Sequence, residues 1–167
     1  DERVLTPVVS FPYGEDALEL NYIDKLAKLA VVREEERLRL AALSMDGKLL
    51  LQEFEVEEDE ELSAPETEAV LDVALNAKFM MLDPQGEWLY LANELGQVNY
   101  YNVSDIEEVD QVDQLILIEP DRKLVSLNML LGGISLLAAD DTGRVAQWTL
   151  QRDEKNQYRL KEIRGFK

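Results

Sequence analysis

Residues 131–148 read LGGISLLAADDTGRVAQW, and this stretch predicts two short β-strands joined by a tight turn. Its centre, Asp140-Asp-Thr-Gly143, has the spacing of a reverse turn, in which a short polar side chain bonds the turn backbone and glycine accepts a positive φ. After the glycine, apolar and polar side chains alternate through Trp148, as they do in a strand with one buried face. The stretch therefore predicts a β-hairpin.

The same hairpin pattern occurs three times in the chain. Its anchor is a glycine, and Gly47, Gly96 and Gly143 follow one another at intervals of 49 and 47 residues. Around these glycines, residues 29–54, 78–103 and 125–150 align without gaps. The predicted hairpins join residues 38–43 with 48–55, 87–92 with 97–103, and 134–139 with 144–150. A repeat of this length indicates three copies of one structural unit.

Further strand-like segments surround each hairpin. They precede it at residues 29–33, 77–82 and 124–131, and candidate fourth strands lie at 69–75, 115–119 and 157–163. Four short strands every 40–50 residues are typical of a β-propeller blade. We therefore expect a single all-β, β-propeller-like domain over residues 1–167, with about three four-stranded antiparallel blades that form a partial propeller. The repeats are placed at about 26–56, 69–104 and 115–151, with a terminal strand at about 157–164.

One alternative remains open from periodicity alone. Residues 17–33 carry apolar side chains at helical spacing, and residues 70–75 share this ambiguity. The repeat alignment favours strands at both places. Two acidic connectors, residues 53–68 and 104–114, separate the predicted units, and the first has nine acids and no base.

The composition excludes several classes of function. The chain has 17 basic and 35 acidic side chains, a formal charge of −18, which argues against nucleic-acid binding and against docking on anionic lipid. It has no cysteine and no histidine, so thiolate nucleophiles, serine–histidine triads and most zinc chemistry are absent. Nothing selects a catalytic pair of carboxylates, and we expect neither enzyme activity nor a cofactor.

Few residues are candidates for a site. Asp140 and Asp141 could contribute to a Ca²⁺ site, but the following Thr-Gly-Arg favours a structural turn. Gly47, Gly96, Gly143 and Asp140 are accordingly assigned as turn residues. Trp88 and Tyr90 lie on the opposite strand face from Leu89 and Leu91, so one pair could be exposed and bind a protein partner. The sequences at 83–86 and 132–133 indicate turns, and the aromatic residues Tyr101 and Trp148 indicate packing between blades.

Residues 131–148 resemble a blade of the WD-repeat family, which pairs a glycine-turned hairpin with a late aromatic residue. The defining Trp-Asp and Gly-His pairs are missing, because Thr149 follows Trp148 and the chain has no histidine. The resemblance implies a divergent propeller.

The words Gly132-Gly-Ile-Ser-Leu-Leu and Asp140-Asp-Thr-Gly-Arg-Val-Ala-Gln-Trp148 are also similar to the large soluble domain inserted in certain proteobacterial phosphate ABC-transporter permeases. This resemblance implies a membrane-embedded parent in the bacterial inner membrane, a periplasmic position for the domain, and a protein partner among the transporter subunits or the binding protein. The family's membrane helices and coupling region are not in this chain, so transport itself is not implied for it. The alternative is a free-standing β-propeller scaffold that binds peptides.

Three blades cannot close a propeller ring, which uses about four to eight. We therefore expect this chain, whose first residue is Asp1, to be a piece of a larger propeller. Its two terminal blade faces would then be rich in Leu, Val and aromatic residues and lack a neighbouring blade. We expect the isolated piece to self-associate through these faces and strand edges. Residues 4–13 are a candidate cover for one face.

Overall fold

The computed structural model describes residues 8–10, 17–19, 23–56, 64–73, 76–130 and 132–166, and these form β-strands joined by turns and loops. A two-stranded ribbon pairs β1 (Val8–Ser10) with β2 (Ala17–Glu19). The first blade comprises β3 (Leu26–Glu34), β4 (Arg37–Ser44), β5 (Lys48–Glu55) and β6 (Thr67–Asp72). The second comprises β7 (Phe79–Leu82), β8 (Trp88–Ala92), β9 (Gln97–Asn102) and β10 (Asp110–Ile116). The third comprises β11 (Leu124–Met129), β12 (Ser135–Asp140), β13 (Val145–Arg152) and β14 (Tyr158–Phe166).

Each blade is a four-stranded antiparallel sheet in which the strands lie in chain order. The prediction of an all-β fold with three four-stranded antiparallel blades is confirmed. The ambiguity between helix and strand is also resolved, because β3 pairs with β4 from Leu26↔Ser44 to Glu34↔Arg37, and β6 pairs with β5. Ladder pairing over residues 26–34 and 67–72 overrides the apolar spacing that periodicity alone reads as helical. In the described residues, no helix has the length and hydropathy required to span a membrane.

The fourth strand of each blade belongs with the hairpin before it. Val70 of β6 pairs with Leu50, and Leu115 of β10 pairs with Val98. The sheets therefore span residues 26–72, 79–116 and 124–166, whereas the sequence repeats at 69–104 and 115–151 each begin with a strand of the preceding sheet. The repeat in the sequence gives the spacing of the units. It does not show which strands pair with each other, because pairing depends on contacts between separate segments of the chain.

Two clusters of apolar side chains lie between the blades. The first joins Ala41, Leu43, Leu49 and Leu51 of the first blade to Leu82, Leu89, Leu91 and Tyr101 of the second. The second joins Tyr90, Ala92, Val98 and Tyr100 of the second blade to Leu124, Leu127, Leu136 and Ala138 of the third. Strand β7 lies against both β3 and β11, so the first strands of the blades are adjacent. Burial of such side chains is the main term that holds the blades together.

A third cluster covers the far side of the first blade, away from the second. Its members are Ile23, Leu38, Leu40, Ala42, Leu50, Phe54 and Val56, all at most 7% exposed. On the same side, Leu29, Val31 and Val70 at the sheet margins are about 40% exposed. The centre of this face is therefore buried and its margins are open. The cover predicted from residues 4–13 falls largely outside the described residues.

Candidate functional site

The three anchor glycines each lie in the turn between the second and third strands of a blade. Gly47, Gly96 and Gly143 have φ angles of 89°, 77° and 85°, in the region that favours glycine. The carbonyl oxygen of Gly47 accepts a hydrogen bond from the Val73 amide at 2.8 Å, and that of Gly96 accepts one from the Leu117 amide at 2.8 Å. In the first two blades, the glycine turn thus also fixes the chain that leaves the fourth strand.

A polar side chain begins each of these turns. The Asp140 carboxylate accepts hydrogen bonds from the Thr142 hydroxyl at 2.6 Å, the Thr142 amide at 2.9 Å and the Arg144 amide at 3.2 Å. The hydroxyl of Thr142 is the largest cause that lowers the pKa of Asp140. Ser44 and Asn93 accept equivalent amide bonds from Lys48 and Gln97. Asp140 therefore acts here as a turn residue.

The neighbouring Asp141 is also tied to the backbone. Its carboxylate accepts the Lys123 amide at 3.1 Å, and its own amide donates to the Lys123 carbonyl at 2.9 Å. Over the part of the chain that the structure describes, no group of three or more Asp, Glu, His or Cys side chains is placed to hold a metal ion. An open cleft of about 460 Å³ beside the first blade is lined by Glu34, Glu35, Glu36, Arg37, Glu55 and Glu66.

The structure corrects the interpretation of Tyr90 as an exposed partner-binding residue. Tyr90 is 4% exposed and stacks on Tyr100 with ring centroids 6.3 Å apart, and burial raises its pKa. Trp88 is half-buried and meets Tyr158 of the third blade edge-on at 4.9 Å. Leu89 and Leu91 are buried on the other face of β8. Both faces of this strand are covered because its blade lies between two others, a fact that alternation along one strand cannot reveal.

Sequence reasoning missed the most highly bonded junction residue, Arg39. This side chain pairs with Glu53 on the adjacent strand and then crosses into the second blade. There it donates to the carbonyl oxygens of Gly86 at 2.5 Å, Val103 at 3.0 Å and Ser104 at 2.7 Å. A Cβ on Gly86 would lie 2.8 Å from the Arg39 Cδ, so glycine leaves room for the arginine. The sequence signal for this role is a cation between the apolar residues Leu38 and Leu40 of β4.

An ion pair marks the other junction. Asp113 on β10 of the second blade pairs with Arg159 on β14 of the third. The Arg159 Nε also lies 3.5 Å from Asp153, and the Tyr100 hydroxyl accepts the Leu160 amide at 3.4 Å. The outer strands of consecutive blades are thus joined by opposite charges.

The third blade leaves one side without a neighbouring blade among the described residues. We call the side that points away from the second blade the open face. Strand pairing assigns to it Ser126, Asn128, Ser135, Leu137, Ala139, Val145, Gln147, Thr149, Gln151, Lys161, Arg164 and Phe166. The expectation that both terminal faces would be rich in apolar residues is wrong here. The centre of this face is polar because Ser135, Gln147 and Thr149 occupy the positions of the period-2 pattern that point away from the second blade.

Four polar side chains of the open face are hydrogen-bonded to one another. Arg164 Nε donates to Gln147 Oε1 at 2.7 Å, and Gln147 Nε2 donates to the Ser135 hydroxyl at 3.1 Å. The Ser135 and Thr149 hydroxyls are bonded at 2.8 Å. This chain of hydrogen bonds crosses three strands of the sheet, so each of these side chains has a partner within the blade.

Comparison with solved structures identifies the architecture. Kluyveromyces lactis Hsv2 matches 90% of this chain with a TM-score of 0.59 at 13% identity. The WD40 domain of SCAP from fission yeast matches 85% with a TM-score of 0.58 at 17% identity. A Bacteroides fragilis protein with a proposed 6-phosphogluconolactonase activity matches 93% with a TM-score of 0.55 at 18% identity. The fold is that of a β-propeller.

The chain spans only part of each of these propellers, namely 50% of Hsv2, 34% of the SCAP domain and 50% of the B. fragilis protein. No family model matches the sequence, and no curated protein matches it. At these identities the likeness shows the fold alone, and the three blades correspond to part of a propeller ring.

Proposed function

We propose that this chain is a non-catalytic protein-interaction domain. The observation that carries the proposal is the propeller architecture, in which four-stranded antiparallel blades pack face to face. A structure of similar fold is the complex of the fission yeast SREBP–SCAP binding domains, one chain of which matches 88% of this chain with a TM-score of 0.56 at 16% identity. The −18 charge favours a protein partner over nucleic acid or a free anion.

As a finer proposal, the domain belongs to a phosphate-uptake ABC-transporter permease and lies on the periplasmic side of a bacterial inner membrane. Its support is the resemblance of residues 132–148 to the soluble domain of such permeases. The free-standing propeller scaffold is the alternative, and the structural likeness to a WD40 domain supports it.

The full-length reading frame separates these two functions. Apolar segments of about 18 or more residues beside this domain are expected for the permease, and their absence would favour the scaffold. Affinity purification of the full-length protein from mild detergent should then recover the transporter subunits or the phosphate-binding protein in constant ratio.

Two solution measurements test the non-catalytic, non-phosphate-binding role. Millimolar phosphate should leave the melting temperature nearly unchanged at constant ionic strength, because only a ligand that binds the folded state raises it. Incubation with 6-phosphogluconolactone should give no hydrolysis above the spontaneous rate. A saturable rise in melting temperature, or catalysed lactone hydrolysis, contradicts the proposal.

A further inference from the structure

A cleft lies between the first and second blades, at the end of the sheets that carries the turn from β4 to β5. Its volume is about 370 Å³, and residues of both blades line it, among them Lys28 and Leu43 of the first and Ala77 and Lys78 just before β7 of the second. Both walls therefore belong to blades that the structure describes. Further blades of a propeller ring pack on the outer faces of the terminal blades, so the cleft does not depend on their number.

The cleft exists because the described part of the chain places no side chain over the glycine turn of the first junction. At the second junction, Ile118 is buried on Gly96, where an added Cβ would lie 2.4 Å from its Cγ1. Around a Cβ added to Gly47, Val73 is the only described residue within 4 Å apart from the chain neighbours, and it comes close through backbone atoms alone. The first junction is thus open where an isoleucine closes the second.

The inner part of the cleft is apolar. Leu43 and Val73 are buried in the core between the two blades, and Ala77 packs against the same core. Met45 is 73% exposed at the edge of the cleft, in the glycine turn itself. Because an unbranched methionine adapts to the shape of a partner, the cleft offers an incoming apolar side chain both a fixed wall and a flexible border.

The border of the cleft carries cations. Lys28 and Lys78 are exposed, and neither forms an ion pair with any residue that the structure describes. Lys25 borders an adjoining open cleft of about 410 Å³, which shares Met45 and Asp46 with the first. Three lysines therefore surround the exposed methionine.

Two aspartates share this border. The Asp46 carboxylate already accepts a hydrogen bond from the Ser44 hydroxyl, and Asp24 lines only the adjoining cleft. Three lysines to two aspartates reverse the balance of the whole chain, which has 17 bases and 35 acids. A locally positive surface on a protein of charge −18 favours a partner that presents a carboxylate there.

We propose that this cleft binds a separate protein through a segment in which a carboxylate lies beside a large apolar side chain. The apolar side chain enters between Leu43, Val73 and Ala77, and the carboxylate pairs with Lys28 and Lys78. The volume is at the lower end of the range of roughly 300–1,000 Å³ for binding pockets, so the cleft takes one or two side chains of the segment. This assignment rests on the proposed interaction function and names its surface and the chemistry of the partner.

Site-specific cross-linking tests the surface. A photoreactive p-benzoylphenylalanine replaces Met45 of the full-length protein in its source organism, and in a separate variant it replaces Glu154, an exposed turn residue of the third blade. We expect a cross-link from position 45, and none from position 154, to a segment with Asp or Glu next to a large apolar residue. Asn76, which is exposed beside the cleft, is the second probe position if the first variant fails to fold.

Charge reversal tests the ion pairs with the purified cross-linked partner. The double variant Lys28→Glu with Lys78→Glu should raise the dissociation constant at least about tenfold, because it places like charges at the contact. Lys155→Glu with Lys161→Glu makes the same change in net charge at exposed positions of the third blade and should change the constant less than about twofold. Changing the cross-linked acid of the partner to Lys should restore binding to the first double variant, and melting curves check that both variants fold.

A second comparison tests the apolar contact. Replacing the large apolar residue of the partner's segment by Ser should also weaken binding at least about tenfold, because that side chain no longer buries its surface in the cleft. Millimolar phosphate at constant ionic strength should not displace the partner. Displacement by phosphate, with no effect of the Ser replacement, would show a simple anion site and overturn the proposal.

The remaining outcomes separate this proposal from the interaction function. A partner that cross-links only from position 154, or whose binding is unaffected by the Lys28 and Lys78 reversals, overturns the cleft assignment but leaves an interaction domain. A cross-link from position 45 to another part of this chain, or to a segment without acids, overturns the cleft assignment as well. If position 45 captures nothing and affinity purification also recovers no partner, both proposals are wrong.

Discussion

The guanidinium of Arg39 in the first blade lies 2.7 Å from the carbonyl oxygen of Ser104 in the second. The same side chain bonds two more carbonyl groups of the second blade and the carboxylate of Glu53. Its side chain is 10% exposed and that of Glu53 is 15% exposed. A single residue thus satisfies three backbone acceptors that lie outside the strands, and it links two blades.

Arg39→Met should lower the free energy of unfolding by about 2–4 kcal/mol, because it leaves Glu53 and three carbonyl groups without their donor. Urea denaturation measures this loss. Arg37→Met, at an exposed position of the same strand, should change it by less than about 0.5 kcal/mol. The double variant Arg39→Met with Glu53→Gln should be more stable than Arg39→Met alone, and a purely additive loss would show that the ion pair is not coupled.

The glycine turns should differ in their tolerance of alanine. A Cβ on Gly96 would lie 2.4 Å from the Ile118 Cγ1, whereas a Cβ on Gly143 meets nothing within 4 Å. Gly143→Ala should cost about 1 kcal/mol for the positive φ alone. Gly96→Ala should cost about 1–3 kcal/mol more through the clash. Chemical denaturation of both variants gives the ranking, and equal losses would contradict this account of the turn.

Lowering the pH should show how much the hydrogen-bonded Asp140 carboxylate contributes to the stability of the fold. Its folded pKa lies below the ordinary value, chiefly through the Thr142 hydroxyl, so the charged form contributes stability above the unfolded pKa. That contribution is lost as pH falls through the folded pKa, below about pH 4. Asp140→Asn should be less stable at pH 7 and should lose less stability between pH 5 and pH 2.5. Glu154→Gln, an exposed turn variant, should follow the parent curve.

The open margin of the first blade should cause self-association. Leu26, Leu29 and Val31 on β3 are 37–41% exposed, and exposed apolar edge strands associate. The mass of the 19.1 kDa chain from light scattering should therefore rise with concentration, and Val31→Lys should reduce the rise. Leu95→Lys, which removes an equally apolar residue from a turn, should leave it unchanged. A strictly monomeric parent chain at all concentrations contradicts the prediction.

Some features of the fold could not be predicted because the sequence pattern that would indicate them is weak. Strand β10 begins at Asp110, inside residues 104–114, which the sequence predicts to be an acidic connector. An outer strand needs few apolar residues, since only one of its faces lies on the core, and its charges can form bonds such as Asp113 with Arg159. The burial of Tyr90 likewise depends on a blade that is distant in the sequence.

The sequence by itself determined the repeat, the strand class and the turn positions. Gly47, Gly96 and Gly143 could be placed because local backbone geometry restricts the residue type at such turns. The tertiary structure decided which fourth strand joins which hairpin, which blade faces are buried, and where Arg39 and Arg164 point. Those features depend on contacts between residues far apart in the chain. Such contacts leave no periodic pattern in a single sequence.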